Sequence, residues 1–196
     1  MSVTRRNRRL LGAGAALALL LTMILGGASA TAHGDRDGAH AVVRDRNGQR
    51  VAVVSLFHTS PGKVTLRVQA RRLPPGFHGF HIHAVGVCDP ATGFTSAGGH
   101  FNPTGAPHDD HAGDLPVLLV NSDGTAGTTV ATDRFSIDQL LDADGSAVVV
   151  HAAADNYANI PTRYHSHDAD VFGPDPTTLS AGDSGDRVAC GRIRRR

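Results

Sequence analysis

From about residue 39 onward, apolar residues recur at every second position in short runs, with Gly, Pro, Asn and Asp between the runs. That pattern is the mark of half-buried strands joined by tight turns. It predicts strands around Val42 and Val43, then over 51–57, 64–70, 77–85, 117–121, 128–132, 147–151 and 187–193. Arg46-Asn47-Gly48 and Ser60-Pro61-Gly62 supply the hairpin turns between the first three. Only 135–141 hints at a helical turn, and there is no internal repeat and no second domain. About eight antiparallel strands with little helix predict an all-β protein, a Greek-key β-sandwich or flattened barrel. Residues 88–114 and 155–186 resist a strand reading. Loops longer than about 15 residues are uncommon in a compact domain unless they bind something, so the function is expected there.

The first 32 residues break the pattern. Met1 to Arg9 carries four arginines, Leu10 to Gly27 is apolar, and small residues follow. This reads as a secretory signal over residues 1–32, with cleavage after Ala30 or Ala32. The apolar stretch nearly suffices for a bilayer anchor, but the cleavage-type residues favour a signal. The paired arginines also allow a twin-arginine route. The mature domain, 39–196, is then expected to be secreted or associated with the cell envelope, with no stable membrane insertion.

Composition fits this picture. No tryptophan, two tyrosines and 23 glycines suit a turn-rich β protein. Without the signal, 15 basic residues stand against 18 acidic ones, a charge of about −3, and nothing points to nucleic acid. Cys88 and Cys190 are the only cysteines, and export makes a disulfide between them the expectation. In the chain-entropy model such a bridge contributes about 4 to 5 kcal/mol.

The histidines change the picture most. In GFHGFHIHAVGVC, residues 76–88, His81 and His83 share one face of the predicted strand with Cβ atoms roughly 7 Å apart, while His78 faces the other way. Downstream stand His100, His108, His111 and Asp114, then His151 and Asp155. These suffice for two nitrogen-rich sites, suited to copper or zinc rather than calcium or magnesium.

Together, GFHGFHIHAVGVC, SAGGHFNP, HAGDLP, VVVHAAADN and GDSGDRVACGRI resemble the secreted bacterial type of copper/zinc superoxide dismutase, from about Ala39 to Ile193. The resemblance implies that His81, His83, His100 and His151 hold copper, with His100 bridging to a zinc whose other ligands are His108, His111 and Asp114. It gives His100 a catalytic proton, sets Asp155 behind ligands of both metals, and places Arg187 beside copper to guide superoxide. It also implies the Cys88–Cys190 bridge, which ties the first loop to the strand of Arg187. The two-residue spacing of His108 and His111 makes the zinc subloop shorter than in many relatives.

The implied function is an exported antioxidant dismutase. A copper-binding or copper-delivery module on the same fold is the alternative, and the anion-guiding arginine argues against it. His78 is expected to brace backbone, His165 and His167 to be solvated, and the RIRRR tail to fray. The sequence leaves the oligomeric state open, a homodimer included.

Overall fold

The computed structural model describes residues 38–196, and the expected signal lies outside them. In chain order the strands are β1 (Ala39–Asp45), β2 (Arg50–Ser60), β3 (Lys63–Ala70), β4 (Gly76–His78), β5 (Phe80–His83), β6 (Leu118–Val120), β7 (Ala126–Thr132), β8 (Ala147–His151), β9 (His165–Ser166), β10 (Val171–Phe172) and β11 (Arg187–Arg195). Seven form one curled antiparallel sheet in the order β5-β8-β11-β1-β2-β3-β7. The pairs β4-β6 and β9-β10 stand apart from it. Because β3 leads through β4 to β5 at the far edge of the sheet, and β7 to β8 beside it, the connections cross over as in a Greek key.

Alternation sets the core. In β3, Val64, Leu66 and Val68 are buried, while Arg67 and Gln69 are exposed. These residues join Val43, Val54, Leu56, Phe80, Ile82, Val148, Val150 and Ile193 in one hydrophobic cluster. All five residues of β8 are buried, because Val148 and Val150 face that cluster while Ala147 and Val149 face a second one with Phe94, Ala97 and Cys190. The first long loop therefore packs on the outer face of the sheet. The Cys88–Cys190 disulfide fastens it there, with Cα atoms 5.6 Å apart.

The predicted run 77–85 is two strands. At Gly79 the chain exchanges partners: β4 pairs with β6, β5 pairs with β8, and Gly79 itself bonds to Ala153 and His151 backbone. A Cβ on Gly79 would meet that of Ser184 at 2.5 Å, so the crossing fits only a bare backbone. The helical turn near 135–141 is a 3-10 turn over Gln139–Leu141, with Phe135, Ile137 and Leu140 buried. The second long loop contains the β9-β10 hairpin and one short helix, α1 (Thr178–Ala181), both too short for periodicity to reveal.

The arginine tail does not fray. β11 runs on through Arg195, pairing Arg194 with His40 and Arg195 with Ala39. Ile193 anchors this end in the core, Arg195 meets Asp138 at 2.8 Å, and Arg196 lies over the Phe57 ring. A cationic run resembles a solvated tail in sequence, but here its backbone has a partner strand. Among the described residues, no helix is long and apolar enough to cross a membrane.

Candidate metal centre

Strand parity builds the site. In β5, Phe80 and Ile82 point into the core, so His81 and His83 point outward, and in β8 the parity of Val149 carries His151 to the same outer face. The first loop brings the remaining residues by pairing along the free side of β5. Phe101 N–H donates to Ile82 O at 2.8 Å, and Ile82 N–H donates to Gly113 O at 2.9 Å. Isolated bridges then set His100 beside His83 and Asp114 beside His81.

Two groups of buried side chains result: His81, His83, His100 and His151, and His100, His108, His111 and Asp114. Within each group the candidate ligand atoms lie within 4.8 Å of one another, and His100 belongs to both. The shared ring has Nδ1 2.7 Å from Asp114 Oδ1, while its Nε2 is buried without a hydrogen-bond partner in the other group.

Hydrogen bonds show which nitrogens carry lone pairs. His83 Nδ1 donates to Gly98 O at 2.9 Å and His151 Nδ1 donates to Gly185 O at 3.0 Å, so neither ring's Nε2 carries the proton in the neutral form. Those two Nε2 atoms face each other at 3.3 Å. His81 Nε2 donates to Asp155 Oδ2 at 2.7 Å, which leaves Nδ1 as a buried, unpartnered lone pair. His108 Nε2 donates to Asp155 Oδ1 at 2.9 Å, and its Nδ1 lies 3.0 Å from Asp114 Oδ2 without hydrogen-bond geometry. Convergent lone pairs in a buried space repel one another unless a cation sits among them. The donor set therefore fits a metal ion in each group, nitrogen-only in the first and three nitrogens with one carboxylate in the second.

Acid–base properties agree. Burial, opposed in part by the Asp155 bond, pushes His81 down to about 4, and burial together with the neighbouring His81 pushes His151 down to about 3. Burial also holds His83 well below its ordinary value. Neutral imidazoles are the form that binds metal. His108 goes the other way: burial opposes its charge, but the carboxylates of Asp114 and Asp155 outweigh burial and push it up to about 9. The same contacts, with His100, overcome burial at Asp114 and hold it low, and His108 and His81 do so at Asp155.

The second loop contributes Asp155, one carboxylate that joins His81 to His108. Gly182, in a left-handed conformation with φ 55°, passes so close that a Cβ would collide with Asp155 Oδ1 and come within 2.7 Å of His108 Nε2. Arg187 reaches the outer face through a β-bulge in β11 that pairs it with His151. Its Nη1 donates to Phe94 O and its Nη2 to Gly98 O, both at 2.7 Å, and burial lowers its pKa.

All the candidate ligands assemble, and His78 sits where expected, with its ring nitrogens 2.7 Å from His151 O and 2.8 Å from Pro74 O. His165 and His167 lie apart from both groups, with His165 bonded to Asp170. Two arginines escaped the sequence reading. Arg134 Nη1 reaches Asp109 O and His111 O at 3.2 Å and its Nη2 lies 3.1 Å from Asp110, so it clasps the short subloop from outside. Arg46 donates to Arg187 O through Nε and Nη2. Both act across sequence separations that no local pattern encodes.

The family model described as copper/zinc superoxide dismutase matches residues 51–193. A curated copper-zinc superoxide dismutase of Mycolicibacterium paratuberculosis is 42% identical over 159 residues, spanning 75% of this chain and 70% of that protein. One from Escherichia coli K12 is 34% identical over 191 residues, spanning 91% of this chain and 97% of its own. Among solved structures, the Cu/Zn superoxide dismutase from Brucella abortus superposes with a TM-score of 0.60 at 26% identity, covering 81% of this chain and all of the other. A SOD-like protein from Bacillus subtilis gives 0.62 at 31% identity, covering 78% and 96%.

Proposed function

The chain belongs to the copper/zinc superoxide dismutase family, and from that premise we propose that it is an exported enzyme that converts two superoxide anions and two protons to dioxygen and hydrogen peroxide. Copper and zinc are the family's cofactors. The reading assigns His81, His83, His100 and His151 to copper and His100, His108, His111 and Asp114 to zinc. The observation that carries it is His100, one imidazole common to both donor groups. Bound copper would supply the one-electron alternation between two oxidation states that dismutation needs, a chemistry zinc lacks.

The residues divide the remaining work. Arg187 keeps a permanent positive charge on the outer face beside His151, where it draws in and orients a small anion. Its two carbonyl bonds fix the guanidinium plane and leave further N–H groups for the substrate. His100 Nε2 is the atom at which a proton is held and passed to the product. Asp155 orients His81 and His108 through one carboxylate, so the two groups keep a common geometry. Export is supported by the signal-like sequence over residues 1–32 and by the disulfide, which suits an oxidising compartment.

Metal analysis of the purified mature protein, with a superoxide-consumption assay before and after copper reconstitution, tests this reading. Copper and zinc near one each per chain, with activity tracking copper, are expected. Stoichiometric copper without superoxide consumption would instead select the copper-handling alternative.

A further inference from the structure

A cavity of about 320 Å³ lies on the outer face of β1 and β11, against the disulfide. We propose that it is a binding site for a small organic anion, a phosphate or carboxylate head carried on an apolar body.

The register explains how the walls form. His40 pairs with Arg194 and Arg44 with Cys190, and directly opposed residues of an antiparallel pair share a face. Val42, with the same parity as His40 and Arg44, gives an apolar floor, which Pro90, Phe94 and the disulfide extend. The cationic residues are Arg44, Arg192 and Arg194, with the His40 ring beside them.

Their charges are unspent. Among the described residues, the side chains of Arg192 and Arg194 make no hydrogen bond or ion pair, and that of Arg44 donates only to Gly48 O. The one acid in the wall, Asp45, is committed to the turn, where its Oδ1 accepts from Asn47 N–H and Gln49 N–H. His40 Nδ1 is buried without a partner. Like-charged side chains on adjacent strands repel, so a cluster of this sign is relieved by an anion. A second copy docked by a two-fold axis would set arginine against arginine. The volume is that of a small-molecule pocket, and its apolar floor with a few polar groups is the usual composition of one. The site differs from the metal centre in its residues, although Phe94 touches both: its carbonyl holds Arg187.

The test uses the metal-loaded mature protein, its copper held cuprous and its disulfide intact, titrated with phenyl phosphate and separately with inorganic phosphate, and read by NMR at the His40 ring and Val42 methyls. Phenyl phosphate should shift those signals and bind about tenfold more tightly than inorganic phosphate, through burial of its ring. Arg192→Gln with Arg194→Gln should weaken it about tenfold or more, while superoxide consumption stays unchanged. Should the double variant fold poorly, Arg194→Gln alone and Val42→Phe, which fills the floor, test the same contacts. The proposal is overturned if no shift is seen at 10 mM ligand, if shifts centre on His151, if the arginine variants bind equally, or if both ligands bind alike.

Discussion

His83 and Arg187 donate to one carbonyl oxygen, that of Gly98, through Nδ1 at 2.9 Å and Nη2 at 2.7 Å. A candidate copper ligand and the candidate anion guide are thus referred to the same loop atom, so a change at either reaches the other. Gly98 adopts φ 73° and ψ −161°, a conformation that side chains exclude.

Arg187→Ala removes the charge and both bonds. Superoxide consumption should fall by about tenfold or more and lose most of its ionic-strength dependence. Arg187→Lys should keep part of the salt dependence at a lower rate, because an ammonium cannot span Phe94 O and Gly98 O as a planar fork does. Stopped-flow rates across ionic strength check both. An unaltered rate in the alanine variant would remove Arg187 from the mechanism.

Asp155→Ala frees His81 Nε2 and His108 Nε2 at once. Affinity for both metals should drop by about 10- to 100-fold, the usual cost of losing the group that orients a ligand. Chelator competition, with each metal followed separately, measures it. Loss confined to one metal would show that the carboxylate does not join the two groups.

Arg134→Ala releases the backbone of Asp109 and His111. Zinc should dissociate several-fold faster while copper content holds, and Arg134→Lys should restore part of the retention. Equal zinc release in wild type and variant would leave Arg134 an ordinary surface residue.

Gly182→Ala places a methyl against Asp155 Oδ1 and forces a side chain into φ 55°. The expected cost is about 1 to 3 kcal/mol, seen as a lower Tm, together with weaker zinc retention. A Tm within a degree of wild type would mean that the second loop yields without disturbing Asp155.

The metal-free protein should be most stable near pH 6.5 to 7. His81 and His151, at about 4 and about 3, bind protons more readily when unfolded, so stability falls as pH drops below 6.5 toward those values. Asp114 and Asp155, both held low, act in the same direction in more acidic solution. His108, raised to about 9, contributes stability that is fully present below 6.5 and lost as pH rises through about 9. Thermal unfolding of chelator-treated protein from pH 4 to 10 tests the shape, and a Tm that keeps rising to pH 10 would contradict it.

Much of this was legible in the residues. Period-two alternation marked the strands of the main sheet and set His81 and His83 on one face, with His78 on the other. The break at Gly79 was not legible, because Ser184, which crowds it, lies more than a hundred residues away. Arg46 was missed for the same reason, Arg134 because its partners lie across a loop 23 to 25 residues back, and the arginine tail was misjudged because side-chain charge says nothing about a backbone that has found β1. The family resemblance supplied which imidazole is shared. Spacing alone left several histidines equivalent.

Strand parity also keeps the apolar core separate from the metal centre. Phe80 and Ile82 turn into the interior while their neighbours His81 and His83 turn away, so collapse of the apolar centre asks nothing of an ion. A chain built this way can condense without its inorganic components and take them up later, whenever the surroundings provide them.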